Sequence, residues 1–204
     1  MKPLLLLFTL MFSIGCKTQT DNSKEVMDKI PSGKILTVYL SRTSNTKVIA
    51  EMVQQRLGGK LIEIEKKNPY PIDYQEIVTK VARENEEGYL PPLNTYIKNI
   101  KDYDTVFIGF PTWDMQLPPP MKTFLAENDM SGKTLLPFNT NAGYGLGSSL
   151  SQIKNLCPDS NILKEFSVEG GYEKRGVLLA IEGERKKEVS DQIDAWLEKV
   201  GILK

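Results

Sequence analysis

Strand-patterned and helix-patterned segments alternate from residue 35 to residue 200, and that order leaves few folds open. "KILTVYL" is an unbroken apolar run of strand length, and "TKVIAEMVQQRL" sets Val48, Ile49, Met52, Val53 and Leu57 on one helical face before Gly58 and Gly59 stop it. "KLIEIE" reads as a short strand. Asp73 and Glu76 form a capping pattern that opens "DYQEIVTKVARENEEG", with Ile77, Val78, Val81 and Ala82 facing inward. "DTVFIGF" is apolar enough for a strand buried on both faces, "PPPMKTFLAEN" is a helix begun by proline, and "KTLLPFNT" is a further strand. A helix carries Leu150, Ile153 and Leu156 and ends before Pro158. "NILKEFSVEG" and "GVLLAIEG" have strand composition, and "ERKKEVSDQIDAWLEKV" closes the domain with Trp196 among core positions. Alternation at these lengths implies one α/β domain, a parallel sheet with helices on both faces.

In such sheets ligands bind beyond the carboxyl ends of the strands. That rule selects the loops after Leu40, Phe110 and Phe138. The first, "SRTSNT", is a run of small hydroxyl and amide side chains at a helix start, suited to an anion held by free N–H groups and the helix dipole. The same residue types also serve as an ordinary helix cap. The spacing of a Walker A loop is absent. The second, "GFPTWDMQLPPP", places Trp113 in a proline-rich turn, where it either covers a planar ring or folds back over its own helix. The third, "NTNAGYGLGSS", brings backbone close to a ligand at Asn141, Gly143, Gly145 and Gly147 and offers Tyr144 as a second flat side chain. Its third glycine stands one residue too early for a dinucleotide fingerprint. Together the loops describe a ligand with one phosphate end and a planar, hydrogen-bonding ring, and flavin mononucleotide (FMN) fits best.

Composition narrows the chemistry further. The 204 residues carry 26 basic and 26 acidic side chains, so nothing suggests nucleic acid as a partner. With no histidine, and only Cys16 and Cys157 as thiols, imidazole bases, thiolate metal sites and disulfide frameworks are all disfavoured. Redox work therefore falls to a bound cofactor, and Cys157 reads as a buried small apolar group.

"VYLSRTSNTKVIA" resembles the flavodoxin phosphate-loop signature at Tyr39, Ser41, Thr43, Asn45, Thr46 and Ala50, with Ser44 where a small Gly, Ala or Cys is usual. "PTWD" and "NAGYG" resemble that family's two ring-covering loops. "NPYPIDYQE" and "DYDTVFIGFPTW" are similar to a subgroup common among exported bacterial redox proteins. The resemblance implies a doubly wound five-stranded parallel sheet, order 2-1-3-4-5. It implies FMN phosphate on Ser41, Arg42, Thr43, Ser44, Asn45 and Thr46, although Arg42 also reads as a plain exposed loop arginine. It implies the flavin ring between Trp113 and Tyr144. Pro111, Thr112, Asp114, Asn141, Ala142, Gly143 and Gly145 would lie along its edge. No catalytic residue and no metal is implied. Flavodoxins often have Gly after the tryptophan, which favours the one-electron state; here Asp114-Met115 follows, and the chain is neutral where one-electron shuttles are acidic.

Residues 1–15, "MKPLLLLFTLMFSIG", have the charged start and short apolar run of a signal peptide, and Ser13-Ile14-Gly15-Cys16 resembles a bacterial lipobox with Cys16 as the lipidated residue. An ordinary secretory signal is the alternative. Residues 16–33 read as a flexible tether and 34–204 as the folded domain. The expectation is an FMN-binding electron carrier, lipid-anchored in a bacterial cell envelope, serving an unidentified redox protein. The alternatives are an FMN-dependent NAD(P)H:quinone-type reductase and a non-redox binding lipoprotein on the same scaffold.

Overall fold

The computed structural model describes residues 34–203; the expected signal peptide, Cys16 and the tether lie outside the described residues. The elements run β1 (Ile35–Tyr39), α1 (Asn45–Leu57), β2 (Lys60–Glu63), α2 (Tyr74–Glu86), β3 (Thr105–Pro111), α3 (Pro119–Glu127), β4 (Thr134–Asn141), α4 (Ser149–Leu156), β5 (Asn161–Ile162), β6 (Phe166–Glu169) and α5 (Gly183–Lys199). Every strand pairing is parallel, in the order β2-β1-β3-β4-β5, with β6 also on β4. No helix among the described residues is long and apolar enough to cross a membrane.

Because side chains alternate across a pleated strand, each strand feeds two cores. Ile35, Tyr39, Phe107, Leu136 and Phe138 face α1 and α5, and meet Ile49, Val53, Val189, Ile193 and Trp196. Leu36, Val38, Val106, Ile108, Phe110 and Leu135 face the other way, onto Met121, Phe124, Leu125 and Ile153 of α3 and α4. Trp196 lies edge-on to Phe107, centroids 6.0 Å apart, and its Nε1 donates to the Lys164 carbonyl at 2.8 Å. Cys157 is buried against the second core, as its composition-based reading expects.

Two strand expectations change. "NILKEFSVEG" is not one strand, so the sheet has six strands rather than five. Along β4 the register advances three residues, Leu135 to Phe138, while its partner advances four, Ile162 to Phe166; the extra residue is a bulge. The cause is Pro137. The Leu135 carbonyl accepts from Leu163 N–H, so Pro137, two residues on, faces the same edge and has no N–H to offer there. The second change is "GVLLAIEG", which forms no strand. The Leu178 carbonyl and the N–H groups of Ala180 and Ile181 bond to the side chain of Asn45 instead of a ladder.

In α2 the capping pattern holds: the Asp73 carboxylate accepts from Glu76 N–H at 2.9 Å. Its buried stripe is narrower than its periodicity implies, with Ile77 and Val81 inside but Val78 and Ala82 exposed.

Candidate functional site

The loops following β1, β3, β4 and β6 enclose a cleft of about 460 Å³, a size typical of small-ligand sites. It is lined by Ser41, Arg42, Thr43, Asn45 and Thr46, by Pro111 to Met115, and by Thr140, Asn141, Ala142 and Tyr144. Ser44, Gly143 and Gly145 stand beside it without lining it.

At one end is the start of α1. The backbone N–H groups of Arg42, Thr43, Ser44, Asn45 and Thr46 donate to no acceptor among the described residues, and Lys47 N–H reaches only the Ser41 hydroxyl, at 3.3 Å. Open N–H groups at the positive end of a 13-residue helix make an anion cradle. Ser44 is what aims them: its φ is +65°, a left-handed conformation that turns the chain sharply into the helix.

Several side chains of this loop have structural duties. The amide nitrogen of Asn45 donates to the Thr43 hydroxyl and the Leu178 carbonyl, while its oxygen accepts from Ala180 and Ile181 N–H. The Thr46 hydroxyl pairs with that of Thr140 at 2.8 Å, inside the protein. Asn45 and Thr46 therefore offer a ligand their backbone, not their side chains. Arg42 is neither exposed nor free: its guanidinium forks onto Glu173 at 2.8 and 2.7 Å and donates to the Pro71 and Ile72 carbonyls.

The cleft's middle and far end carry the aromatic side chains. Trp113 is half-buried, packs against the core that holds Met121 and Phe124 of α3, and lies edge-on to Tyr70. Its backbone pairs with Gln116 in both directions, at 3.2 and 3.0 Å, around Asp114 and Met115 with φ of +50° and +55°. Two left-handed residues between paired ends make a type I′ turn. Side chains tie it down: Asp114 accepts from the amide nitrogens of Asn85 and Gln116, and the Lys122 ammonium donates to the side-chain amide oxygens of Asn85 and Gln116 at 2.8 Å each. Burial pushes the Lys122 ammonium below its ordinary 10.5, partly opposed by Asp114. Gly147 packs under the turn; a Cβ there would lie 1.9 Å from the Met115 carbonyl oxygen.

The third loop is organised by Asn141, whose side-chain oxygen accepts from Gly143 and Gly145 N–H at 2.9 and 3.1 Å. Those two N–H groups are thereby engaged within the loop. The Thr112 hydroxyl donates to the Gly145 carbonyl and joins the second loop to the third. Tyr144 is 56% exposed and its hydroxyl bonds that of Tyr172, which holds it above its ordinary pKa.

A fourth loop, Gly170 to Glu173, completes the wall, as do Tyr74, Ile77, Val78 and Val81 of α2. Sequence reading missed the former. The signal was present, since "EGGYE" also follows a strand's carboxyl end. Helix α2 flanks the cleft through Ile77, Val78 and Val81, which belong to neither of the two sheet-facing cores.

A family model described as flavodoxin matches residues 34–178. Comparison with curated proteins finds no match. Among solved structures, a protein of Bacteroides eggerthii assigned as a flavoprotein is 29% identical over 82% of this chain and 97% of its own, with a TM-score of 0.65. Another, from Bacteroides uniformis, is 26% identical over 70% and 94%, TM-score 0.62. A Lactobacillus acidophilus flavoprotein solved in complex with FMN shares the fold at 21% identity over 66% and 93%, TM-score 0.57.

Proposed function

The chain belongs to the flavodoxin family, and from that premise we propose that it binds FMN in the cleft and carries electrons between partner proteins. One observation carries the reading: a run of N–H groups without acceptors among the described residues shares a single 460 Å³ cleft with Trp113 and Tyr144. A phosphate takes the N–H groups of residues 42–46, and the Thr43 hydroxyl adds a side-chain contact. Trp113 and Tyr144 face the ring, and Thr112, Asp114, Asn141 and Ala142 border its polar edge. When bound, the flavin supplies one- or two-electron redox chemistry. The chain's own part is to bind it, orient it and set the charge around it.

Support for the carrier role comes from the open far end, where Tyr144, Met115 and Val78 are 56, 49 and 41% exposed. A partner protein can reach the ring edge there. Support for a membrane tether comes from the residue pattern before Lys34, and lipid on Cys16 would fix the domain to the envelope; mass spectrometry of the amino-terminal peptide tests this.

Adding FMN, removing the excess and recording the visible spectrum during stepwise anaerobic reduction tests the main reading. A retained, shifted flavin band that bleaches in two resolved one-electron steps is expected. A single two-electron bleach would favour the reductase reading. Complete loss of FMN on washing would favour a non-redox binding protein.

A further inference from the structure

We propose, resting on the FMN reading above, that Asn139 is a positioning residue: it reaches no ligand itself, but aims the third loop so that two of its N–H groups are left for the flavin ring.

Asn139 lies near the end of β4 and is fully buried. An amide buried there has to find all its hydrogen-bond partners within the protein, and the partners it finds belong to the segments around the cleft. Its nitrogen donates to the Phe110 carbonyl at 3.1 Å and to the Thr112 hydroxyl at 2.9 Å. Its oxygen accepts from the Asn141 amide nitrogen at 3.0 Å and from the Ser167 hydroxyl at 3.2 Å. That same Asn141 nitrogen also donates to the Ser167 hydroxyl at 3.1 Å, and the Thr112 hydroxyl donates onward to the Gly145 carbonyl at 2.7 Å. Every side-chain donor of the four residues has an acceptor.

The direction of this network is fixed at its ends. The Phe110 carbonyl can only accept, so the Asn139 nitrogen must face it and the Asn139 oxygen must face Asn141. Asn141 is thereby obliged to give its nitrogen to Asn139 and its oxygen to the loop, where Gly143 and Gly145 N–H donate to it at 2.9 and 3.1 Å. The N–H groups of Ala142 and Tyr144, which alternate with these two, donate to no acceptor among the described residues. Ala142 and Tyr144 line the cleft, whereas Gly143 and Gly145 do not. One buried amide thus sorts the N–H groups of the loop into a pair held inward and a pair left for the cleft. A fully satisfied buried network holds such an arrangement firmly, and donors held at a ring edge bind an electron-richer ring more tightly than an oxidised one. From behind the cleft, Asn139 therefore sets affinity and reduction potential together.

The test is Asn139→Leu, which keeps the bulk and removes all four bonds, with circular dichroism to verify folding. Affinity for FMN is expected to fall about tenfold. The two-electron midpoint potential of the FMN-loaded protein is expected to drop by about 30 mV, equivalent to a further tenfold loss for the reduced flavin. An unshifted potential in the folded variant overturns the assignment, since a residue that only stabilised the sheet would leave the potential where it was. Hydrogen exchange of the wild-type protein requires no variant. Without FMN, the Gly143 and Gly145 N–H groups are expected to be protected and those of Ala142 and Tyr144 to exchange freely; bound FMN then protects the second pair. Free exchange of Ala142 and Tyr144 with FMN in place overturns the assignment as well. A wild-type protein that binds no FMN overturns the FMN reading, and this assignment with it.

Discussion

The ring of Tyr70 meets the ring of Trp113 edge-on, centroids 5.5 Å apart and planes at 85°. Tyr70 is itself held from two sides: the Lys66 ammonium lies 3.4 Å from its ring centroid, and its hydroxyl donates to Glu84. Lys66 and Glu84 pair at 3.2 Å with side chains only 6 and 7% exposed. Trp113 is therefore backed by Tyr70, which is itself held by a buried ion pair between Lys66 and Glu84, the latter on the inner face of α2.

Tyr70→Ala removes the support and is expected to weaken FMN binding about tenfold, since an aromatic pair contributes roughly 0.5–1.5 kcal/mol beyond its buried area. Tyr70→Phe keeps the edge contact. It deprives Glu84 of one donor, so stability falls by about 1–3 kcal/mol while affinity stays near wild type. FMN titration and denaturant unfolding of both variants separate the two effects; equal loss of affinity would show that the ring contact is not what supports Trp113.

Lys66→Met leaves the Glu84 carboxylate buried without its cation. A cost of about 3–5 kcal/mol is expected, and Glu84→Gln in the same background should recover much of it. Urea unfolding of wild type, Lys66→Met, Glu84→Gln and the double variant measures this, and additive losses would refute the coupling.

Ser44 and Met115 hold left-handed φ values of +65° and +55° that glycine adopts without strain. Each change to glycine should stabilise the FMN-free protein by up to about 1 kcal/mol, the gain being partly offset by the freer unfolded chain. The same change at Thr43, which lacks a positive φ, should not. Thermal melts of the three variants provide the comparison.

Alkaline stability follows from buried acids. Burial pushes the Cys157 thiol from 9.0 up to about 11. Burial first, then bonds to Glu84 and Glu63, raise the Tyr70 and Tyr39 hydroxyls well above their ordinary 10. Between pH 9 and 11 the unfolded chain loses protons that the folded chain keeps, so these groups stabilise fully below pH 9 and progressively less above it. For Cys157 the change is roughly 2–3 kcal/mol across that range. Lys66 and Lys122, lowered by burial, act with the opposite sign below 10.5. The clean measurement is the stability gap between wild type and Cys157→Ala from pH 8 to 11. It should shift towards the variant as pH rises, and a constant gap would contradict the burial.

The fold was legible because its signals are local: apolar runs of strand length, helix-spaced stripes, and stop residues at each end. What sequence reading missed was long-range. Pro137 lies in a run that looks continuous, and its effect appears only on the neighbouring strand, as the bulge between Ile162 and Phe166. Asn45 and Arg42 have the right chemistry for an anion. Their side chains are engaged by residues more than a hundred positions away, at Ala180 and Glu173, and no local pattern records that. Val78 shows the same limit: periodicity assigns it to an apolar face without saying that this face borders a cleft rather than the sheet.

Lys34 enters the sheet at its amino-terminal edge, where its carbonyl accepts from Asp104 and Thr105 N–H and its ammonium pairs with Asp104 at 3.2 Å. β1 then runs roughly 16 Å to the loop that opens the cleft. Lys34 and the cleft thus lie at opposite ends of β1. On the tethered-carrier proposal, that arrangement would let a partner reach the cleft from the side away from the tether.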